Sequence, residues 1–173
     1  ELALSARAAT PCRVLDLGTG SGAIAVSLAD ERRQWSVLGS DISAAALNVA
    51  RGNSRSLPNL WFFQGCWTDA LALHSVDMIV SNPPYIAPDD DHLPGLKHEP
   101  RGALVAAEAG LSDIERIITG SQKVLGSGGT LVLEHSYCQQ EAVCRTLQVA
   151  GYEHIEKFTD LGGIPRAVRA KMS

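Results

Sequence analysis

A four-residue motif follows an apolar run of the chain: Asn82-Pro83-Pro84-Tyr85 comes directly after Met78–Ser81. These residue types suit methyl transfer onto a planar nitrogen, which is a weak nucleophile because its lone pair is delocalised. The Asn82 side-chain oxygen and the Pro83 carbonyl can each accept an N–H hydrogen bond from that nitrogen, orienting it and stabilising positive charge as it develops. The prolines restrict the backbone, and the Tyr85 ring can lie against the flat acceptor group. The alternative is a Pro-Pro turn that closes a buried strand, and residues upstream decide between the two.

A glycine-rich segment, Gly18-Thr19-Gly20-Ser21-Gly22, joins the first predicted strand to the first predicted helix. Without β-carbons the backbone can approach a ligand closely, and the helix N-terminus offers free N–H groups. A tight turn or a dinucleotide site would also fit such a loop, but its spacing departs from G-x-G-x-x-G. Asp16 would repel a pyrophosphate, whereas it suits the ammonium and sulfonium charges of S-adenosylmethionine. We therefore predict S-adenosylmethionine as the cofactor bound by Asp16 and this segment.

Two further residues follow predicted strands and extend this cofactor site. Asp41 comes about 20 residues after the glycines, where a carboxylate can accept hydrogen bonds from both ribose hydroxyls. Its alternative role is to cap the helix that begins after Ser43. Trp67 follows the third strand and can stack on adenine. Trp35 and Trp61 stand in apolar runs, so we predict that these two belong to the core.

The composition limits the class of protein. With 173 residues and 45% hydrophobic content, the chain suits one globular domain, and its net charge of −4 argues against binding through nucleic-acid phosphates. Four cysteines, spaced without a C-x-x-C pair, indicate reduced thiols in the cytoplasm and predict no metal site. A membrane-spanning helix needs about 18 consecutive apolar residues, and no run in this sequence is that long, so we expect no membrane contact. The cysteines are Cys12, Cys66, Cys138 and Cys144.

Short apolar runs alternate with helix-like stretches along the chain. This alternation predicts an α/β fold of the Rossmann-like type, with a mostly parallel central sheet and helices on both faces. Two strand-like runs around Asp160–Gly163 predict an antiparallel hairpin at the C-terminal edge of the sheet. Residues Pro88–Pro100 are predicted to form a long loop, and loops of this length are often functional. The predicted strands are Arg13–Leu17, Trp35–Ser40, Leu60–Gln64, Met78–Ser81 and Thr130–Glu134; the predicted helices are Gly22–Arg32, Ala44–Arg55, Ser112–Leu125 and Gln139–Ala150.

The ordered motifs resemble the HemK-type protein-(glutamine-N5) methyltransferases that modify peptide chain release factors. The residues that carry the resemblance are Asp16 to Gly22, Asp41, Trp67, Asn82-Pro83-Pro84-Tyr85-Ile86, Glu99-Pro100, Ala103-Leu104-Val105 and Asp160-Leu161-Gly162-Gly163. The resemblance implies a class I methyltransferase fold, S-adenosylmethionine as donor, and the glutamine of a Gly-Gly-Gln segment of release factors as acceptor. It also implies that Gly18–Gly22 hold the methionine part, Asp41 the ribose, Trp67 the adenine, and Asn82, Pro83, Pro84 and Tyr85 the substrate amide.

The chain departs from that family in two respects. Cys66 precedes Trp67 where similar proteins often carry an aspartate, and no stretch corresponds to the N-terminal helical domain of the family. We therefore expect residues 1–173 to form the catalytic domain alone, a monomer whose partner is a release factor. Two alternatives remain at this point: a nucleic-acid amino-methyltransferase acting on an extruded adenine, and a non-catalytic S-adenosylmethionine-binding module.

Overall fold

A computed structural model describes residues 1–7, 10–54, 56–84 and 111–173. Tyr85 and the predicted loop Pro88–Pro100 lie outside these residues. Within the described residues, seven strands form one sheet in the order β3-β2-β1-β4-β5-β7-β6. The strands are β1 (Arg13–Leu17), β2 (Ser36–Asp41), β3 (Leu60–Gln64), β4 (Val76–Ser81), β5 (Leu125–Glu134), β6 (Tyr152–Thr159) and β7 (Pro165–Met172); the helices are α1 (Leu2–Ala6), α2 (Ala23–Glu31), α3 (Ala44–Asn53), α4 (Ser112–Val124) and α5 (Gln140–Val149).

The first five strands are parallel, with β1 between β2 and β4. Successive residues of these strands alternate between two apolar layers, so the central strands are apolar throughout. Leu15 and Ile79 belong to the layer that includes residues of α4 and α5. Val14 and Met78 belong to the layer that includes residues of α1 and α2. Burial on both faces fixes the register, because a shift by one residue would exchange the two layers.

Strands β6 and β7 form the predicted antiparallel hairpin, and β7 also pairs with β5 in the antiparallel sense. Glu134 at the end of β5 lies opposite Ala167 near the start of β7. The turn between β6 and β7 is therefore at the carboxyl edge of the sheet, where β1 to β5 end. Residues that follow parallel strands also meet at this edge, which is where open α/β sheets bind ligands.

Most predicted boundaries agree with the structure to within two residues, and three features differ. Strand β5 begins at Leu125 and not at Thr130, because Leu125 pairs with Val76 across a register shift that the intervening glycines accommodate. Helix α1 was not predicted from the sequence. Trp35 is core as predicted, at 1% exposure, but Trp61 is 52% exposed because β3 is an edge strand.

Within the described ranges, no helix combines the length and the apolar character that a membrane crossing needs.

Candidate functional site at the carboxyl edge of the sheet

The glycine-rich segment turns sharply between β1 and α2. Gly18, Gly20 and Gly22 have φ angles of 69°, 56° and 81°, which lie in the left-handed region that glycine adopts without strain. The Thr19 amide donates to the Ser40 carbonyl at 2.9 Å, which holds the loop against the end of β2. A β-carbon on Gly22 would stand 3.0 Å from the Ala50 β-carbon. The segment is thus a compact loop whose backbone faces the edge between β1 and β2.

Asp16 is completely buried beneath this loop. Its Oδ2 atom accepts hydrogen bonds from the Thr19 hydroxyl at 2.6 Å and from the Ala25 amide at 3.1 Å. Its Oδ1 atom has no hydrogen-bond partner among the residues that the structure describes. Burial, only partly offset by the two hydrogen bonds, raises the pKa of Asp16 to about 6. A buried carboxylate with one bare oxygen fits a cationic group, and the ammonium of S-adenosylmethionine is such a group.

Asp41 lies at the end of β2 with its carboxylate partly exposed. Its Oδ2 atom accepts from the Gly20 amide at 2.9 Å, and its Oδ1 atom accepts from the Ser43 amide at 2.8 Å. The side chain therefore ties the glycine loop to the start of α3, where Ser43 is the N-cap and accepts from Ala46. A carboxylate oxygen can accept more than one hydrogen bond, so both oxygens keep capacity for ribose hydroxyls. The ribose role of Asp41 remains a prediction.

Asn82 is exposed directly after β4, followed by a buried Pro83 and a half-buried Pro84. Strand β4 lies beside β1, with Ser81 opposite Leu17. The Ser81 hydroxyl donates to the Leu17 carbonyl at 2.7 Å. This bond joins the residue before the glycine loop to the residue before Asn82, and the sequence analysis did not identify it. A buried serine that ends an apolar strand is the pattern that would have indicated it.

Trp67 occupies a half-buried position against the glycine loop. A β-carbon on Gly18 would lie 3.2 Å from the Trp67 ring, closer than an ordinary contact, and the φ of 69° at Gly18 also disfavours a larger residue there. The indole N–H donates to the Asp113 carboxylate at the start of α4, at 3.3 Å. The Arg116 guanidinium contacts the Cys66 sulfur at 3.4 Å. Trp67 is thus near the predicted donor site, and its contact with adenine remains a prediction.

Ile42 is a candidate that the sequence analysis missed. It follows Asp41 and is 70% exposed, and its carbonyl accepts from the Gln64 side-chain amide at 2.9 Å. An apolar residue directly after a strand-end aspartate is the sequence feature that could have indicated it. It adds an apolar surface beside the carboxylate that is predicted to hold the ribose.

The chain matches the family described as Methyltransferase domain over residues 9–161, and it therefore belongs to this family of methyltransferase domains. Among solved structures, a TehB-like SAM-dependent methyltransferase from Corynebacterium glutamicum is similar with a TM-score of 0.66 and 18% identity, covering 98% of this chain and 85% of that one. A ribosomal protein L11 methylase from Lactobacillus delbrueckii subsp. bulgaricus is similar with a TM-score of 0.71 and 18% identity, covering 99% and 76%. The predicted fold and the predicted class, a methyltransferase domain, are confirmed.

Curated relatives are more similar in sequence and carry a more specific name. The protein named "Release factor glutamine methyltransferase" of Coxiella burnetii is 44% identical over 161 residues, covering 92% of this chain and 58% of the relative. The protein of the same name from Escherichia coli is 45% identical over 166 residues, covering 94% and 60%. The resemblance drawn from the motifs is therefore confirmed. The chain spans about three fifths of the length of these relatives.

Proposed function

We propose that residues 1–173 are the catalytic domain of a release factor glutamine methyltransferase. In this proposal the domain transfers the methyl group of S-adenosylmethionine to the side-chain amide nitrogen of the glutamine in a Gly-Gly-Gln segment. Its partner is a cytoplasmic peptide chain release factor, and the domain acts as a monomer that does not bind nucleic acid. The proposal extends to this chain the name of relatives that are 44% and 45% identical to it.

The observation that carries the proposal is the juxtaposition of Asn82 with the glycine loop. Neighbouring strands lie about 4.8 Å apart, so the residues that follow β1 and β4 stand close to each other. The bond from Ser81 to the Leu17 carbonyl fixes the two strand ends relative to each other. The unpartnered oxygen of Asp16 lies one strand away from Asn82, on the donor side. One edge thus offers an anionic site for a cationic donor and, beside it, an exposed amide for an acceptor.

The acceptor side of the site orients a weak nucleophile. The Asn82 side-chain oxygen and the Pro83 carbonyl each accept a hydrogen bond from one N–H of the glutamine amide. These two bonds orient the nitrogen so that its lone pair points toward the donor. S-adenosylmethionine supplies a methyl group on a positively charged sulfur, and the sulfur keeps the electron pair of the bond that breaks. The amide nitrogen forms the new bond to carbon and becomes positive, and the same two acceptors stabilise this charge. The nitrogen then loses one proton to water.

The proposal is tested by incubating the chain with a methyl-labelled donor and, in parallel, with a release factor, a Gly-Gly-Gln peptide or duplex DNA. Mass spectrometry then locates the label. We expect one methyl group on the glutamine nitrogen of the peptide and of the release factor, and none on DNA. A release factor with alanine in place of that glutamine is the matched control for the acceptor. Label on DNA, or label that persists in the alanine control, would contradict the proposal.

A further inference from the structure

Three exposed apolar side chains stand near the turn between β6 and β7. Leu161 in this turn is fully exposed, Ile164 at its end is 44% exposed, and Tyr137, three residues after β5, is 63% exposed. Single exposed apolar residues are common on protein surfaces and need no explanation. These three, however, all lie at the carboxyl edge of the sheet, where β5 and β6 end and β7 begins.

The turn that carries Leu161 is held in one conformation. The Asp160 Oδ1 atom accepts from the Gly162 amide at 2.9 Å and from the Ile164 amide at 3.0 Å, and its backbone N–H donates to the Ile164 carbonyl at 2.8 Å. The backbone hydrogen bond from Ile164 is the main reason that the pKa of Asp160 is lowered. The Arg166 guanidinium approaches the other carboxylate oxygen at 3.4 Å. A turn with this many internal bonds presents Leu161 to solvent at a fixed place.

The sheet order sets the distance from this turn to Asn82. Strand β5 lies next to β4, followed by β7 and then β6. With strands about 4.8 Å apart, the turn between β7 and β6 is about 10–15 Å from the end of β4. An extended peptide advances about 3.3 Å per residue, so a segment whose glutamine lies at Asn82 reaches the turn with its third to fifth neighbouring residue.

We propose that Tyr137, Leu161 and Ile164 form a docking surface for apolar side chains of the protein segment that flanks the acceptor glutamine, three to five residues away from it. The proposal rests on the proposed function and deepens it, because it assigns part of the substrate recognition to the β6–β7 turn. The chemistry favours a peptide over a nucleic acid. The surface is aliphatic and aromatic, and the neighbouring cation Arg166 is paired with Asp160.

Two acceptor peptides test the proposal on this chain. The short peptide carries two residues on each side of the glutamine and reaches about 7 Å, while the long peptide carries ten on each side, with the sequence of a release factor. We expect Leu161→Ser to raise KM for the long peptide roughly tenfold with kcat unchanged, because the apolar contact between the peptide and this exposed leucine stabilises the bound substrate and the transition state equally. For the short peptide we expect no change. Ile164→Ser is a second variant with the same expectation and a smaller effect.

Val149→Ser is the matched control. Val149 is 91% exposed at the end of α5, and the next strand, β6, starts at the edge of the sheet opposite to the turn. It should change neither peptide's kinetics. Calorimetric titration with the donor checks that each variant keeps its donor site.

The outcomes separate this proposal from the proposed function. A wild-type chain that binds donor but methylates neither peptide contradicts the proposed function and the docking surface with it. A wild-type chain that methylates both peptides, with Leu161→Ser changing both equally or neither, overturns the docking surface alone. A self-association that is seen by sedimentation in the wild type and lost in Leu161→Ser would show that the surface joins two copies, which also overturns the proposal.

Discussion

Asp16→Asn should make the donor-free domain more stable while weakening its binding of S-adenosylmethionine. The native carboxylate is buried, and one of its oxygens has no partner among the described residues. In the wild type, the Thr19 hydroxyl and the Ala25 amide both donate to the same carboxylate oxygen of Asp16. In the variant, the asparagine side-chain oxygen can accept both of these hydrogen bonds. The buried negative charge is removed, and with it the group that is predicted to attract a cationic donor.

The size of the stability gain follows from the pKa of Asp16. Burial raises this pKa from the ordinary 3.8 to about 6, so the folded domain holds a proton that the unfolded chain releases. Stability from such a group is complete below the unfolded pKa and is lost as the pH rises through the folded one. A difference of about two pH units, at about 1.36 kcal/mol each, sets an upper limit of about 3 kcal/mol on the gain for asparagine at pH 8, because the buried amide NH2 group of asparagine also needs a hydrogen-bond partner. At pH 5 about half of this gain remains, because the folded carboxyl is then mostly protonated.

Urea unfolding at pH 5 and pH 8 measures the gain, and calorimetric titration with S-adenosylmethionine measures the affinity. We expect the affinity to fall by about 10- to 100-fold, as when a charge-assisted hydrogen bond is lost. Asp77→Asn is the matched control. The Asp77 carboxylate pairs with Arg13 at the opposite edge of the sheet, and hydrogen bonding to Arg13 lowers its pKa. Asp77 therefore stabilises the fold above its unfolded pKa, so the control should lower stability at pH 8 and leave donor affinity unchanged.

Two results would refute this reasoning about Asp16. One is an Asp16→Asn variant that is less stable than the wild type at pH 8, since that would mean that the bare oxygen is satisfied in the free domain. The other is a stability gain equal at both pH values, since a gain from the removed charge must grow with pH.

Three further substitutions test the other parts of the site. Asn82→Ala should lower the single-turnover methylation rate by roughly 100-fold or more with donor affinity nearly unchanged, because it removes an acceptor of developing charge; an unchanged rate contradicts its role. Asp41→Ala should weaken donor affinity by about 1.5 to 3 kcal/mol in calorimetry and leave the methylation rate at saturating donor unchanged. A slower rate at saturation would show that Asp41 does more than bind the donor. Ser81→Ala should cost about 1 to 3 kcal/mol in urea unfolding and lower the methylation rate, because the buried Leu17 carbonyl loses its donor; a rate that stays unchanged despite the stability loss would show that the bond does not position Asn82.

The sequence predicted the parallel part of the fold well because its strands are apolar on both faces. Strands β1 and β3 have the predicted bounds, Arg13–Leu17 and Leu60–Gln64. The start of β5 was not predictable in this way. Gly126, Gly128 and Gly129 read as a turn, and they belong to the strand only because Leu125 pairs with Val76. A strand pairing between distant segments cannot be predicted from the local sequence pattern.

The same distinction separates the parts of the site that were predicted from those that were not. Strand-end placement of Asp41 and Asn82 was predictable, because parallel strands end at one edge of a sheet. The bond between Ser81 and the Leu17 carbonyl was not, and neither was the contact of the Trp67 ring with Gly18. Both depend on the exact packing of segments that lie far apart in the chain, and residue type alone does not fix that packing.

The position of β1 beside β4 brings the predicted donor and acceptor motifs, which are far apart in sequence, to one edge of the sheet. From β1 the sheet continues outward through β2 to β3, and the chain then returns to place β4 on the other side of β1. The strand order therefore reverses between β1 and β4, and open α/β sheets bind ligands at the carboxyl ends of their strands at such a point. The glycine loop follows one of these two strands and Asn82 follows the other. The Ser81 hydroxyl joins the two strand ends, at 2.7 Å from the Leu17 carbonyl, and we expect the donor methyl group and the acceptor nitrogen to meet beyond these ends.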